Sequence, residues 1–104
     1  MNKETLLQLI PTGEENAISA EKLAGVIHCN KRNLRAMVSQ LRRDGAVIGS
    51  NEQGYFIPAT IEELERTLKR NTRRAESCQR DWKPARELLH QWKEKVLQTY
   101  LLDT

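Results

Sequence analysis

The chain has 104 residues, of which 38% are hydrophobic and 30% are charged, and its formal net charge is +3. This length has room for one small domain and an appendage, so we do not expect several large domains within these residues. The composition is typical of a soluble globular chain, and the sequence has no apolar run long enough to cross a membrane. We therefore expect a cytoplasmic protein without a membrane role.

Charge is distributed unevenly along the chain. Residues 1–30 carry a net charge of −2, residues 31–43 contain five basic residues and no acidic one, and residues 66–86 carry a net charge of +6. Segregation of this kind predicts a polyanionic partner. The two cysteines, Cys29 and Cys78, have no metal-binding spacing. We expect reduced thiols, although a disulfide between them stays open.

The first two predicted elements are short helices. Residues 3–10 have apolar side chains at helical spacing, and Pro11 cannot continue the helix. A second helix begins after Ser19, which is a good N-cap. Glu21 lies in the first turn of that helix, where the helix dipole favours an acidic side chain.

Residues 31–43 form the third predicted helix. Asn30 precedes it as an N-cap, and Gly45 follows it in the position that favours a left-handed residue. At about 100° per residue, the apolar side chains of this helix fall on one stripe. The stripe consists of Leu34, Met37, Val38 and Leu41.

A β-hairpin and a long helical region follow. The β-prone runs "AVIG" and "YFIP" flank the polar stretch "SNEQG", which is the pattern of two short strands joined by a turn. Pro58 ends the hairpin. Thr60 and Glu63 then have the spacing of a capping box, which predicts the start of the next helix. We expect one side chain of the pair Tyr55 and Phe56 to point inward and the other outward.

Residues 19–45 resemble a helix-turn-helix. Ala24 stands where a small residue separates the crossing helices, and His28 stands where many members of the family have glycine in the turn. The apolar positions of the pattern are filled by Leu23, Ile27, Cys29, Leu34 and Met37. The later sequence "GYFIP" resembles the end of a wing. Together, residues 4–58 resemble the winged helix-turn-helix domains similar to the N-terminal domain of biotin repressors, and nothing in the chain resembles a biotin ligase.

The resemblance implies a mainly α fold with a small β-hairpin. Residues 1–58 would form a winged helix-turn-helix DNA-binding domain. Residues 59–104, which the resemblance does not cover, are predicted from their own apolar spacing to be a helical extension that serves as an oligomerisation arm. The extension would be either one long helix or a helical hairpin.

The predicted DNA-binding surface lies on the helix at residues 31–43, opposite its apolar stripe. Ala36 at the centre of that surface would allow a close approach to the base edges in the major groove and contact a thymine methyl group. Arg32 would bind guanine, and Ser39 or Gln40 would contact a base edge or a phosphate. Phosphates would be neutralised by Lys31, Arg35, Arg42 and Arg43. The complete predicted set is Asn30, Lys31, Arg32, Arg35, Ala36, Ser39, Gln40, Arg42 and Arg43.

Two simpler interpretations stay open at this point. Exposed helices are often rich in arginine and lysine, and alanine is a strong helix former in any setting. The wing contains Glu52 and no basic residue between residues 50 and 54, so it either contacts DNA or only covers the core.

The C-terminal region has a seam whose steps alternate between three and four residues, as in a heptad repeat. The predicted oligomerisation residues on it are Ile61, Leu64, Leu68, Asn71, Ala75, Trp82, Leu89, Trp92 and Val96. A seam of this kind predicts a homodimeric coiled coil, in which Asn71 would fix the register. Alternatively, the region folds back on itself or on the winged domain. Pro84 favours a break at residues 80–83, with Asp81 as the N-cap of a second helix.

No catalytic constellation is present in the sequence. His28 and His90 have no recognisable nucleophile or metal partner, and no phosphate-binding glycine motif occurs. We therefore expect a non-enzymatic protein without cofactor or metal. The predicted function is double-stranded DNA binding, in transcription regulation or in organising a DNA site in a prokaryote or phage. The alternative is a protein–protein interaction module that docks through the heptad arm onto a replication or structural complex.

Overall fold

The computed structural model describes residues 3–72 and 79–102, of which residues 71, 72, 79–81 and 102 are described by their backbone only. The five helices are α1 Lys3–Leu9, α2 Ala20–Val26, α3 Lys31–Arg43, α4 Ile61–Thr72 and α5 Gln79–Leu102, and the two strands are β1 Gly49–Ser50 and β2 Tyr55–Phe56. A single 3-10 turn, Glu14–Asn16, lies between α1 and α2. The fold is mainly helical with a small antiparallel hairpin and a long C-terminal helix, which confirms the predicted fold class.

Helices α2 and α3 begin at the caps that the sequence predicts. The Ser19 hydroxyl accepts a hydrogen bond from the backbone N–H of Lys22 at 3.1 Å. The Asn30 side chain accepts one from the backbone N–H of Asn33 at 2.7 Å. Each cap satisfies a backbone donor that has no partner inside its helix, so the start of each helix is fixed locally.

Residues with positive φ occur just after the end of α3 and in the turn between α2 and α3. Gly45 has φ of 112°. Its N–H donates to the carbonyl of Arg42 at 3.1 Å, and the N–H of Ala46 donates to the carbonyl of Leu41 at 2.9 Å. This pair of bonds is a Schellman motif and confirms the predicted role of Gly45. His28, between α2 and α3, has φ of 57°, a conformation that glycine adopts more easily.

The first three helices enclose one hydrophobic core. Its buried residues are Leu6, Ile10, Leu23, Ala24, Ile27, Leu34, Val38, Leu41 and Ile48. Three of the four apolar stripe residues of α3 are therefore buried, and the fourth, Met37, is half-buried against the same core. This packing fixes which face of α3 remains exposed.

The hairpin has a third partner that the sequence analysis missed. Gly49 pairs with Phe56 and Ser50 with Tyr55 in antiparallel register. On the other side of β2, Ile18 forms an isolated antiparallel bridge with Tyr55, with N–H to carbonyl distances of 2.9 and 2.8 Å. The segment just before α2 therefore holds the wing against the helical core. Phe56 is buried, and Tyr55 is half-buried against the first core, so neither side chain points outward as predicted for one of the two.

Helices α4 and α5 pack against each other, and α5 also contacts α3. Leu64, Leu68, Trp82 and Ala85 form a second buried cluster. Three of these, Leu64, Leu68 and Trp82, belong to the predicted seam, and the seam residues Leu89 and Trp92 are half-buried against the same cluster. These seam positions are thus used inside one chain, as in the fold-back alternative and not as in an intermolecular coiled coil. The Asn71 side chain and Ala75 lie outside the described residues. Cys29 is a free, half-buried thiol, and Cys78 also lies outside them.

Two details of the C-terminal region differ from the predictions. Helix α5 already begins at Gln79, so Pro84 is its sixth residue rather than part of a first turn capped by Asp81. The predicted capping box is formed only in part. The N–H of Glu63 donates to the Thr60 hydroxyl at 3.1 Å, whereas the buried Glu63 carboxylate accepts from the backbone N–H of Glu14 at 2.8 Å. That carboxylate therefore ties α4 to the 3-10 turn.

Gly54 and Gly25 provide a matched test of the contact between the wing and the core. Gly54 has φ of 145°, and a Cβ atom there would lie 1.8 Å from the carbonyl oxygen of Ile18. We expect Gly54→Ala to lower the free energy of unfolding by about 2 kcal/mol or more. Gly25→Ala, in open space on α2, should instead raise it by up to about 1 kcal/mol. Urea denaturation would measure both changes, and equal stabilities for the two variants would contradict the close approach.

Candidate nucleic-acid interface

Helix α3 has a basic surface on the side away from the core. Arg32, Arg35, Ala36 and Arg43 are exposed, and we call these four residues the exposed face of α3. Ser39 and Gln40, two other members of the predicted set, are half-buried. The structure therefore brings the predicted base-contacting residues Arg32 and Ala36 onto one surface, because their spacing matches one turn of helix.

Arg32 and Arg35 are the side chains of this face that are most available to a ligand. Within the described part of the chain, neither makes a hydrogen bond or an ion pair. Ala36, one turn after Arg32, has only a methyl group, so the helix backbone is accessible between the arginine side chains. A helix that approaches base edges needs such access.

Lys31 has an intramolecular partner at the start of α3. Its ammonium group lies 2.8 Å from a carboxylate oxygen of Glu21 on α2, and both side chains are exposed. The hydrogen bond from Lys31, followed by its positive charge, lowers the pKa of Glu21. An exposed pair of this kind contributes little to stability and separates easily, so Lys31 is still available for a phosphate.

Asn30 and Gln40 have structural roles that the predicted contact set did not include. The Asn30 side chain caps α3, so its carbonyl oxygen is already occupied. Gln40 donates from its side-chain amide to Asp44 at 3.1 Å. That hydrogen bond, together with the nearby ammonium group of Lys3 at 3.4 Å, lowers the pKa of Asp44. Both residues stabilise the ends of α3.

Arg42 differs most from its predicted role as a phosphate contact. Its Nε and Nη2 atoms donate to the carbonyl oxygen of Ile48 at 3.0 and 2.8 Å. The guanidinium also lies over the ring of Trp82 on α5, at 4.4 Å from the ring centroid. Because Trp82 is 5% exposed, this cation–π contact is largely shielded from water. Arg42 therefore joins α3 to α5 instead of extending toward a phosphate.

The wing has a polar and partly acidic tip. The Asn51 side chain accepts hydrogen bonds from the backbone N–H groups of Gln53 and Gly54 at 2.8 and 3.1 Å, which closes the turn. The amide of the same side chain donates to the carbonyl of Glu14 at 3.1 Å. Glu52 and Gln53 are exposed at the tip. The wing tip thus has no cation to offer a phosphate.

A second basic group, outside the predicted contact set, lies near the wing. Arg70, on α4, donates from Nη1 to the carbonyl of Ser50 at 3.2 Å. The signal in the sequence was the positive charge of residues 66–86, but that charge alone does not show which strand lies beside α4.

Comparisons with known proteins provide no family for this chain. No protein-family model, no curated protein and no solved structure matches it. Among residues 3–72 and 79–102, no group of histidine, cysteine and acidic side chains is arranged to bind a metal ion. No helix in the same ranges is long and apolar enough to cross a membrane.

The structural role of Arg42 can be measured by comparing substitutions at Arg42 with a control substitution at Arg35. We expect Arg42→Ala to lower the free energy of unfolding by about 2 kcal/mol, since it removes a shielded cation–π contact and leaves the Ile48 carbonyl without two donors. Arg42→Lys should recover only part of this, because an ammonium group lacks the planar fork. Arg35→Ala is the control and should change stability by less than about 0.5 kcal/mol. Denaturation followed by tryptophan fluorescence would test this, and equal stabilities for Arg42→Ala and Arg35→Ala would contradict the role of Arg42.

Proposed function

We propose that this protein binds double-stranded DNA as a winged helix-turn-helix protein, with α3 in the major groove. The observation that carries the proposal is the division of α3 into a buried apolar stripe and an exposed face that combines three arginines with one alanine. A helix kept soluble by its charge alone does not need a small residue between its basic side chains. A helix that enters a major groove does.

The roles on α3 follow from side-chain chemistry. Arg32 would bind the O6 and N7 atoms of a guanine through its planar fork, and Ala36 would contact a thymine methyl group. Arg35, Arg43 and Lys31 would neutralise phosphates, which supply most of the affinity but no sequence preference. Arg42 is not included, because its guanidinium is bound to Ile48 and Trp82.

The biological role that fits this activity is a cytoplasmic regulator of transcription, or an organiser of a DNA site, in a prokaryote or phage. Support for it comes from the resemblance of residues 4–58 to winged DNA-binding domains and from the order of helices and hairpin, α1–α2–α3–β1–β2. No catalytic step is part of the proposal.

Salt dependence tests the proposal directly. The three phosphate contacts of α3 alone predict that affinity for a random duplex falls by at least roughly 40-fold when salt increases from about 50 to about 200 mM. Fluorescence anisotropy with a labelled duplex would measure this. Undetectable binding at about 50 mM salt, or affinity that does not depend on salt, would contradict DNA binding.

A comparison of Arg32→Ala with Arg35→Ala on a selected binding site tests the orientation of α3. Loss of Arg32 should cost about 1–3 kcal/mol on that site and relax the base preference at one position. Loss of Arg35 should weaken binding to all DNA sequences equally. It should also reduce the slope of log affinity against log salt by about one. If both variants lost affinity uniformly, α3 would not be in the major groove.

A second candidate function is a protein–protein interaction module. The C-terminal part of α5 lies beside the start of α4, where Val96 and Tyr100 line a hollow together with Ile61. Val96, Leu97, Tyr100 and Leu101 on this part of α5 are between 57% and 69% exposed. Exposed apolar side chains grouped in this way are typical of a protein-binding surface. The surface would serve either a homodimer on two DNA half-sites or docking onto a larger complex.

Sedimentation at tens of micromolar would separate these alternatives. If α5 binds a second copy of the chain, the wild type should be a dimer and the variant Leu97→Glu/Leu101→Glu a monomer, because four new charges cannot be buried between two copies. The control Gln91→Glu/Gln98→Glu adds the same charge at other exposed positions of α5 and should leave the dimer intact. A monomeric wild type would contradict self-association.

A further inference from the structure

The outer edge of β1 is covered by two arginines from different helices. Gly49 is paired with Phe56, and the turn residues Asn51 and Gly54 exchange backbone hydrogen bonds. Since hydrogen-bonding direction alternates along a strand, the carbonyls of residues 48 and 50 face away from β2. The first of these carbonyls accepts from Arg42 and the second from Arg70.

This arrangement attaches both α3 and α4 to β1. Carbonyls two residues apart on a strand are separated by about 7 Å. The guanidinium groups of Arg42 and Arg70 each lie within hydrogen-bond distance of one of these carbonyls, so the two side chains reach the same edge of the strand at neighbouring positions. The basic end of α4 is therefore connected to α3 through β1.

A shallow cavity of about 360 Å³ lies between α4 and β1. Arg66, Lys69 and Arg70 contribute three positive charges to its lining, and Glu14 contributes one negative charge. Glu14 pairs with Arg66 through both carboxylate oxygens and raises the pKa of that arginine. The cavity is consequently positive on the side of Lys69 and Arg70, both of which are exposed.

Arg70 keeps donors for a further partner. Its bond to Ser50 uses one of the five N–H donors of the guanidinium, and Arg70 makes no other hydrogen bond or ion pair among the described residues. The sequence continues with Arg73 and Arg74, which lie outside the described residues. The wing tip, in contrast, has an acidic residue and no cation.

We propose that Lys69 and Arg70, which we call the α4 ridge, bind the phosphate backbone of duplex DNA next to the segment that α3 contacts. Phosphate is the ligand class that fits, because a guanidinium and an ammonium group on one exposed surface bind phosphate oxygens and carry no base preference. The ridge would supply the backbone contacts that the acidic wing tip lacks. This inference rests on the proposed function, since it extends the same DNA-binding surface.

The test compares two variants that remove the same charge. Lys69→Gln/Arg70→Gln changes the ridge, and the control Lys93→Gln/Lys95→Gln changes two exposed lysines of α5, of which Lys93 pairs with Glu65. With a random duplex of about 20 bp, which is two helical turns, the ridge variant should reduce the slope of log affinity against log salt by about 1.8. The control should keep the wild-type slope, and the ridge variant should lose affinity equally for all sequences.

Single substitutions distinguish the loss of a positive charge from a structural disturbance of the wing. Arg70→Lys keeps the charge and should restore most of the slope that Arg70→Gln loses. If Arg70→Gln does not fold, Lys69→Gln alone should still reduce the slope by about 0.9.

The outcomes separate this inference from the proposed function. A wild-type chain that does not bind DNA would overturn both. Salt-dependent binding that is reduced by Arg35→Ala, but equal in the ridge and control variants, would overturn the α4 ridge alone.

Discussion

The guanidinium of Arg42 joins three parts of the molecule that are distant in sequence. It extends from α3, binds the carbonyl of Ile48 at the entrance to β1, and stacks on Trp82 of α5. An arginine can make all three contacts because its edge donates hydrogen bonds while its face remains available for an aromatic ring. This interaction is one of the contacts that hold α5 against α3. Helix α5 is thereby attached to α3, whose exposed face we propose to bind DNA.

Local sequence signals predicted the helical part of the fold well. Ser19, Asn30 and Gly45 each act on a backbone group within a few residues, so the start of α2 and both ends of α3 could be inferred without knowledge of the tertiary structure. The bridge between Ile18 and Tyr55 could not, because pairing between remote segments leaves no local pattern. The Glu63 carboxylate likewise follows the capping-box spacing, but its partner comes from the distant 3-10 turn.

The candidate site was predictable where periodicity determines exposure. Arg32 and Ala36 lie opposite the apolar stripe, so their exposure follows from the helical repeat alone. Arg42 lies at the border of the stripe, where periodicity does not decide between solvent and a neighbouring element. The heptad seam has a related limit. It shows that Leu64 and Trp82 belong to a helix–helix contact, but the same pattern suits a partner helix from one chain or from two.

The bridge between Ile18 and β2 has a consequence for the order of folding. The hairpin of β1 and β2 has only two residues in each strand, too few to be stable alone in water. Its third partner comes from the segment before α2, so closing the loop that joins them costs chain entropy until α2 and α3 have packed. We therefore expect the wing to form late in folding, after α2 and α3 have packed.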